Sequence, residues 1–416
     1  MITNNGGVEM EDAYILESVR SPIGKFMGRL SEFTATALGA EVVKGLVSKS
    51  KMGAVPDSII VGNVLSAGLG QNPAKQVLIY SGLKNTVPTL NVNMVCASGL
   101  KAVSLAAESI QAGNSDIVIA GGIESMTNSP HTVKGVRSFR KFGNVKLKEL
   151  YDFANANGSA DSYDLVDEML YTGLWDCYSD MHMGTIAEKI GEKDGIARGD
   201  QDKFAVESHR RAAYATDNGK FRDEIIPIKL KSGEVFSQDE GIRRDTSIEK
   251  LAALKPAFKE GGTVTAGNAS QLSDGAAFSI VVSGKKVKEL GLKPIARIES
   301  YADGGIDPNW YGLSPIDSIS KALSKTGRAI EDVDLFEINE AFCVQVLGVA
   351  KEMGISLDKL NVNGGATALG HPIGASGARL LATLVHAMRD RKKNMGVVSL
   401  CHGGGGSASM VISRVD

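Results

Sequence analysis

The stretch Asn91-Val92-Asn93-Met94-Val95-Cys96-Ala97-Ser98-Gly99, followed by a helical pattern and Asp116-Ile117-Val118-Ile119-Ala120-Gly121-Gly122, decides how this chain folds. It has a second version near the other end. That version runs Asn361-Val362-Asn363-Gly364-Gly365, then Gly370-His371-Pro372-Ile373-Gly374-Ala375-Ser376-Gly377. A helical pattern follows, then Gly396-Val397-Val398-Ser399-Leu400-Cys401-His402-Gly403-Gly404-Gly405-Gly406. Both read as strand, small-residue loop, helix, strand and glycine-rich turn. Two such units packed about a pseudo-twofold axis bring their loops face to face. Cys96 then meets His371 and Cys401, with reactive side chains at corresponding places in the two copies. A thiol, an imidazole and a second thiol suffice for acyl transfer through a thioester.

Outward from these units, strands and helices alternate. Ala13 to Glu17 is strand-like, Thr34 to Ser48 carries helical apolar spacing, Ser58 to Val64 is β-rich and Ala74 to Tyr80 reads as helix. The rhythm predicts an α/β fold with a mostly parallel sheet covered on both faces. It breaks from about Ser125 to Ser270. That stretch holds a basic run (Lys134, Arg137, Arg140, Lys141, Lys146, Lys148), the polar Asn155-Ala156-Asn157-Gly158-Ser159 and a charged helix near Arg198 to Thr216. The expected organisation is a first half over 1–125, completed by about 272–292, an inserted domain over 126–271 and a second half over 293–416. Within the second half, Pro294 to Ser300 and Leu335 to Asn339 are strand-like, and Ser314 to Thr326 is helical.

At 416 residues the chain exceeds one ordinary core, so two or three domains are expected. A formal net charge of −2 gives no global preference for nucleic acid or membranes. No window matches a membrane span. Neither end reads as a secretion or peroxisomal signal, and a cytoplasmic protein is expected. The 4 cysteines, Cys96, Cys177, Cys343 and Cys401, match no zinc spacing and read as reduced thiols.

Cys96 sits between a strand and a helix, where orphan amide N–H groups and the helix dipole favour a thiolate. The bland alternative is a buried, inert thiol. His371, between Gly370 and Pro372, is placed to take a proton or to donate to a thioester oxygen. Alone it would read as a surface histidine. Cys401 precedes four glycines, whose N–H groups suit an oxyanion hole; the bland alternative is a tight turn. Asn339, in Asn339-Glu340-Ala341-Phe342, is placed to hold a water or polarise a carbonyl, and Glu340 reads equally well as a structural acceptor.

Taken together, Cys96-Ala97-Ser98-Gly99, His182-Met183-Gly184, Thr265-Ala266-Gly267-Asn268-Ala269-Ser270, Asn339-Glu340-Ala341-Phe342, Gly370-His371-Pro372 and Cys401 with its glycines resemble the thiolase family, in its acetyl-CoA C-acetyltransferase branch. These elements come in family order over essentially the whole chain. The resemblance implies two βαβαβαββ halves in a five-layered α-β-α-β-α core, with the inserted loop domain binding coenzyme A. It implies Cys96 as nucleophile, His371 as its activator, Asn339 as holder of a water, Cys401 as acid/base, and an oxyanion hole from the N–H groups of Cys96 and Gly403. It places Leu174, His182, Arg243, Ala266 and Ser270 at coenzyme A, and Met183, Phe258, Tyr311 and Phe342 around the acyl group. The implied reaction is reversible condensation of two acetyl-CoA to acetoacetyl-CoA and coenzyme A, with no tightly bound cofactor and no metal.

Some positions depart from the family pattern. Tyr311 stands where many short-chain members have Met, and His402 where an apolar residue or Asn is common; a packing or polar contact is expected from His402. Tyr178 and the run Gly403 to Ser409 are similar to the potassium-activated branch, which leaves potassium activation open. A homotetramer is expected, with a dimer as the alternative. Four other readings compete: a broad-range degradative 3-ketoacyl-CoA thiolase, a ketoacyl synthase, a non-catalytic scaffold or lipid-transfer protein, and a papain-like hydrolase. Cys401 argues against the synthase, the intact Cys96, His371 and Cys401 set against the scaffold, and the duplicated unit against the hydrolase.

Overall fold

The computed structural model describes residues 10–156 and 164–415, so most of the polar stretch after Asn155 lies outside the described residues. The main strands form one hydrogen-bonded path in the order 89–92, 58–62, 117–125, 273–283, 13–20, 296–305, 406–414, 395–402 and 335–338. The path is two similar halves, of five and four strands, joined between 13–20 and 296–305. The joint is thin: only Tyr14 with Arg297 and Ile15 with Ala296 pair across it.

The expectation of a mostly parallel sheet fails. Only the outer strands of each half run parallel: 58–62 with both 89–92 and 117–125, and 335–338 with 395–402. The strand Ser273–Ser283 returns after the insertion and runs antiparallel between 13–20 and 117–125. Its counterpart Gly406–Arg414 follows 395–402 through a tight hairpin, which can join only antiparallel strands. Alternation of helix and strand along the chain does not report these two late strands.

A second correction concerns Asn361 to Asn363, read above as strand. Only Leu360 bridges Phe336, and Asn361 turns to a φ of +46°. Its side chain takes over the strand's role. Its Oδ1 accepts the Ile338 N–H at 2.9 Å, and its Nδ2 donates to the Ile338 carbonyl at 2.8 Å. An amide side chain thus replaces a neighbouring peptide, which hydrophobic periodicity cannot register.

Three apolar clusters separate the layers. Because strand side chains alternate, Ile59 and Val61 face the outer helices Ala35–Ser50 and Pro73–Tyr80, while Ile60 faces inward. The inner cluster holds the helices Ser98–Gln111 and Ser376–Asp390 between the two sheet halves. The third covers the outer face of the second half with helices Pro315–Thr326 and Cys343–Met353 and includes Met183 and Ile186 from the inserted segment. The two inner helices touch at their N-termini. A side chain on Gly377 would lie 2.5 Å from the Leu100 nitrogen, and one on Gly99 would lie 2.9 Å from the Gly374 oxygen. That close approach sets the loops preceding the two helices, one with Cys96 and one with His371, against each other.

Between strands 117–125 and 273–283 the chain makes an excursion. It contains a small antiparallel pair, 131–133 with 165–167, the helix Leu147–Ala156 and the helices Met183–Asp194 and Arg198–Asp217. Among the described residues, no helix is long and apolar enough to cross a membrane.

Candidate active site

Cys96 follows Val95, whose φ of +47° is rare for a β-branched residue. The strain is held by neighbours. The Ser98 hydroxyl donates to the Val95 carbonyl at 2.6 Å and accepts the Met94 N–H at 2.9 Å. Asn93 Oδ1 accepts the Val95 N–H at 3.0 Å. Such stored strain is common at functional sites. Sequence reasoning did not foresee these supports; the Asn and Ser flanking the thiol were the available signal.

In the resting site loss of hydration works against the expected thiolate. Burial pushes the Cys96 thiol up to about 12, and the facing Glu124 adds to the rise. The backbone N–H groups of Cys96 and Gly403 reach its sulfur and oppose the rise without cancelling it. Cys96 also stands outside the helix, since Ala97 is the capping position. Loss of hydration therefore outweighs the amide donors and the dipole. Iodoacetamide labelling of Cys96 without thioester is expected to rise about tenfold per pH unit between about pH 7 and pH 10. A plateau below about pH 8 would contradict this.

His371 is buried and its ring is fixed at both nitrogens. Ser376 Oγ lies 2.5 Å from Nδ1 and itself donates to the Pro372 carbonyl at 2.9 Å. The serine oxygen must then accept, so Nδ1 carries the ring proton. Nε2 is left as an acceptor, with Asn339 Nδ2 at 3.4 Å. Burial, reinforced by the nearby Arg379 charge, lowers the imidazole to about 3, so it is neutral at rest. Asn339 Oδ1 is buried with no protein partner. Glu340 is structural: it accepts from Ser208 at 2.8 Å, from Asn361 Nδ2 at 2.9 Å and from the Thr367 N–H at 3.0 Å.

Cys401 is buried and faces the same centre, where burial and then Cys96 raise its thiol well above the ordinary range. The glycines after it divide their work. Gly403 directs its N–H at Cys96. Gly404 and Gly405 have φ of +86° and +85° and turn the hairpin back from His402 to its partner Gly406. The tight-turn reading is thus right for those two. His402 Nδ1 donates to the Gly403 carbonyl at 2.7 Å, which supplies its expected polar contact.

The reactive residues do not occupy equivalent places in the two halves. Gly62 pairs with Gly122 in one half and Ile338 with Ser399 in the other. This register puts Asn63 opposite Asn339 and Glu124 opposite Cys401. The inner helices, starting at Ser98 and Ser376, put Cys96 opposite Gly374.

Beside this centre, Met183, Tyr311, Phe342 and Cys401 share one apolar cluster, with Phe258 packed against it. The buried Tyr311 hydroxyl donates to the Met183 carbonyl at 3.2 Å. The His182 ring stacks on Phe258 at 4.6 Å, and Phe258 meets Phe342 edge-on at 5.8 Å. Gly184 permits this, since a side chain there would strike the Phe258 ring at 2.5 Å. The same His182 caps its helix by accepting the Gly184 N–H.

A cavity of about 470 Å³ opens from this wall, and Leu174, His182, Arg243, Ala266 and Ser270 all line it, with Phe258 and Phe342. Its loop is pinned by Asn268, which accepts the Thr265 N–H at 2.7 Å and donates to Asp202 at 2.9 Å. Lys25 and Phe26 also line it. Sequence reasoning missed both, since they come from a distant loop without a motif. Two cations and apolar walls suit a ligand with an anionic head and a narrow apolar arm. Tyr178 is exposed, and its ring lies 3.5 Å from where a side chain on Gly404 would begin.

Comparison with known proteins agrees along the whole chain. Residues 13–285 match the family model described as thiolase, N-terminal domain, and residues 292–414 that described as thiolase, C-terminal domain. The chain is 48% identical over 407 residues to an acetyl-CoA acetyltransferase of Chromobacterium violaceum, covering 96% of this chain and 99% of the relative. It is 44% identical to the acetyl-CoA acetyltransferase of Pseudomonas aeruginosa, covering 97% of this chain and all of the relative. A crystal structure of the Bacillus anthracis acetyl-CoA acetyltransferase superposes with a TM-score of 0.90 at 37% identity, covering 98% of this chain and 100% of that one.

Proposed function

The chain belongs to the thiolase family, and from that premise we infer that it is an acetyl-CoA acetyltransferase, joining two acetyl-CoA into acetoacetyl-CoA and coenzyme A and running the reverse thiolysis. The observation that carries the reading is the convergence of two thiols, the half-buried Cys96 and the buried Cys401, beside a tautomer-fixed imidazole and next to the aromatic wall of a cation-rimmed cavity. Steady-state assay of acetoacetyl-CoA thiolysis, with and without potassium, tests it. Absence of turnover in both conditions would refute it.

In the first half-reaction the Cys96 sulfur attacks the acetyl carbonyl while its proton moves to His371 Nε2. The carbonyl oxygen becomes an anion beside the N–H groups of Cys96 and Gly403. Coenzyme A leaves and takes the proton from His371, and acetyl-Cys96 remains. In the second half-reaction Cys401 first releases its own proton to solvent and, as thiolate, takes a proton from the methyl of another acetyl-CoA; the solvent proton returns to it when the cycle closes. A water held by Asn339 Oδ1 faces the enolate oxygen. The carbanion attacks acetyl-Cys96 and expels its sulfur, which recovers a proton from Cys401. A charge on Cys96 opposes the ionisation of Cys401. Acetylation removes the charge Cys96 could carry and so favours a Cys401 thiolate when it is needed.

Ser376→Ala leaves the His371 Nδ1–H without its acceptor and frees the other tautomer. An unsatisfied buried donor costs about 1–3 kcal/mol. A fall in kcat of roughly 10- to 100-fold with little change in KM is expected. An unchanged kcat would show that Ser376 does not fix the ring.

The acyl wall supports short substrates. Tyr311 is held by its hydroxyl as well as its packing, so it yields less readily than a Met. Acetoacetyl-CoA is expected to be cleaved best and 3-ketohexanoyl-CoA poorly, and Tyr311→Met is expected to narrow that difference. Efficient cleavage of 3-ketohexadecanoyl-CoA by the unmodified protein would instead favour the broad-range degradative reading. The edge strand Thr89–Val92, with Leu90, Ile79 and Tyr80 exposed, supports pairing of two copies through this edge. A tetramer is proposed, with a dimer as the smaller unit; a monomeric mass by light scattering would contradict both.

A further inference from the structure

Glu124, on the strand Ile117–Ser125, is fully buried and takes no part in the reaction just described. Its carboxylate nevertheless collects four donors from both halves of the molecule. Oε1 accepts from Asn63 Nδ2 at 2.8 Å and from the Leu65 N–H at 3.2 Å. Oε2 accepts from the Val64 N–H at 3.2 Å and from the Gly374 N–H at 2.9 Å. Gly374 lies three residues after His371, in the other half. Every partner is a donor, so the hydrogen bonds favour the ionised, acceptor-only carboxylate.

We propose that Glu124 is a positioning residue for the thiolase reaction, a clamp that fixes the His371 loop against the half carrying Cys96. The inference rests on the acetyltransferase reading given above. The tied segments are those that meet at the nucleophile: Val64, Leu65 and Ile373 form one small apolar cluster against which Cys96 packs. Gly374 has no room for anything but its amide. A side chain there would lie 2.7 Å from the Ile123 oxygen and 2.8 Å from Glu124 Oε2.

Pseudosymmetry gives the clamp its origin in the fold. Glu124 stands opposite Cys401, Gly374 opposite Cys96, and Asn63 opposite Asn339. The pair Cys401 and Cys96 therefore has Glu124 and Gly374 as its dyad image. One copy of the site carries the chemistry and the other holds it in place. Burial lifts the Glu124 carboxyl to about 7, against the pull of the Gly374, Leu65 and Val64 amides, with Asp274 adding to the rise. Its charge also faces Cys96 and helps keep that thiol protonated.

Two variants test the clamp, with Cys96 acetylation from acetyl-CoA and Cys96 alkylation by iodoacetamide as separate readouts. E124Q turns an NH₂ toward the N–H donors and removes the charge. E124D keeps the charge but is too short to reach both loops. Both are expected to acetylate Cys96 more slowly by about 10- to 100-fold, the scale of an ångström-sized misplacement, mainly in kcat. Only E124Q is expected to shift the pH profile of alkylation to lower pH, because only it removes the charge facing Cys96. Acetylation at the parental rate in either variant overturns the proposal, as does a loss confined to KM for acetyl-CoA. Failure of the unmodified protein to become acetylated would instead strike the acetyltransferase reading itself.

Discussion

Cys96→Ala is expected to reduce condensation and thiolysis alike by at least about 10⁴-fold, the scale on which removal of a covalent nucleophile is felt. Both directions pass through acetyl-Cys96, so neither has a bypass. The loss should appear in kcat, because the cavity lined by His182, Arg243 and Ser270 does not depend on the thiol. Fluorescence titration with coenzyme A should give a Kd close to that of the parent. The substitution is also mild for the fold. Cys96 is only half-buried, and its loop is held by Ser98 and Asn93, so the Val95 conformation should survive. Turnover within about tenfold of the parent would remove Cys96 from the nucleophile's place.

Cys401→Ala is expected to separate the two half-reactions. Acetylation of Cys96 needs only His371 and the N–H groups of Cys96 and Gly403, all of which remain. Removal of the methyl proton has no substitute, so condensation should fall by about 10²–10⁴-fold, the usual worth of a positioned acid or base. The acetylated form should therefore accumulate. Stopped-time assays of acetyl incorporation and of acetoacetyl-CoA production give the two rates. Parallel loss of both would mean that Cys401 acts in acyl transfer and not as the proton shuttle.

The parts of this site that were legible in the sequence are those whose chemistry is local. Cys96, His371 and Cys401 stand in loops too small and too glycine-rich to be explained by packing, and the duplicated units announce that these loops meet. The five residues proposed for coenzyme A were legible only through the family resemblance; all five line one cavity, and Lys25 and Phe26 beside them carried no signal. What periodicity could not see was substitution of one kind of partner for another. Asn361 replaces a strand's peptide with its own amide, so a strand was expected where a left-handed residue stands. The glycine run was read as one anion site, although Gly404 and Gly405 turn a hairpin and only Gly403 faces Cys96. The protonation of Cys96 depends on burial by distant segments, and a local reading of the helix start overstated the thiolate. Glu124 was hidden for a related reason. Its partners come from two loops about 60 and 250 residues away, so nothing nearby marks a strand-end glutamate as a buried clamp.

The central claim is that one thiol carries the acyl group and the other moves protons. The most direct measurement is peptide mapping by mass spectrometry after brief incubation with acetyl-CoA and rapid acid quench. A single acetyl group is predicted, on the peptide containing Cys96, in the parent and, in greater amount, in Cys401→Ala. An acetyl group on Cys401, or none on Cys96 in a preparation that turns over, would contradict the account.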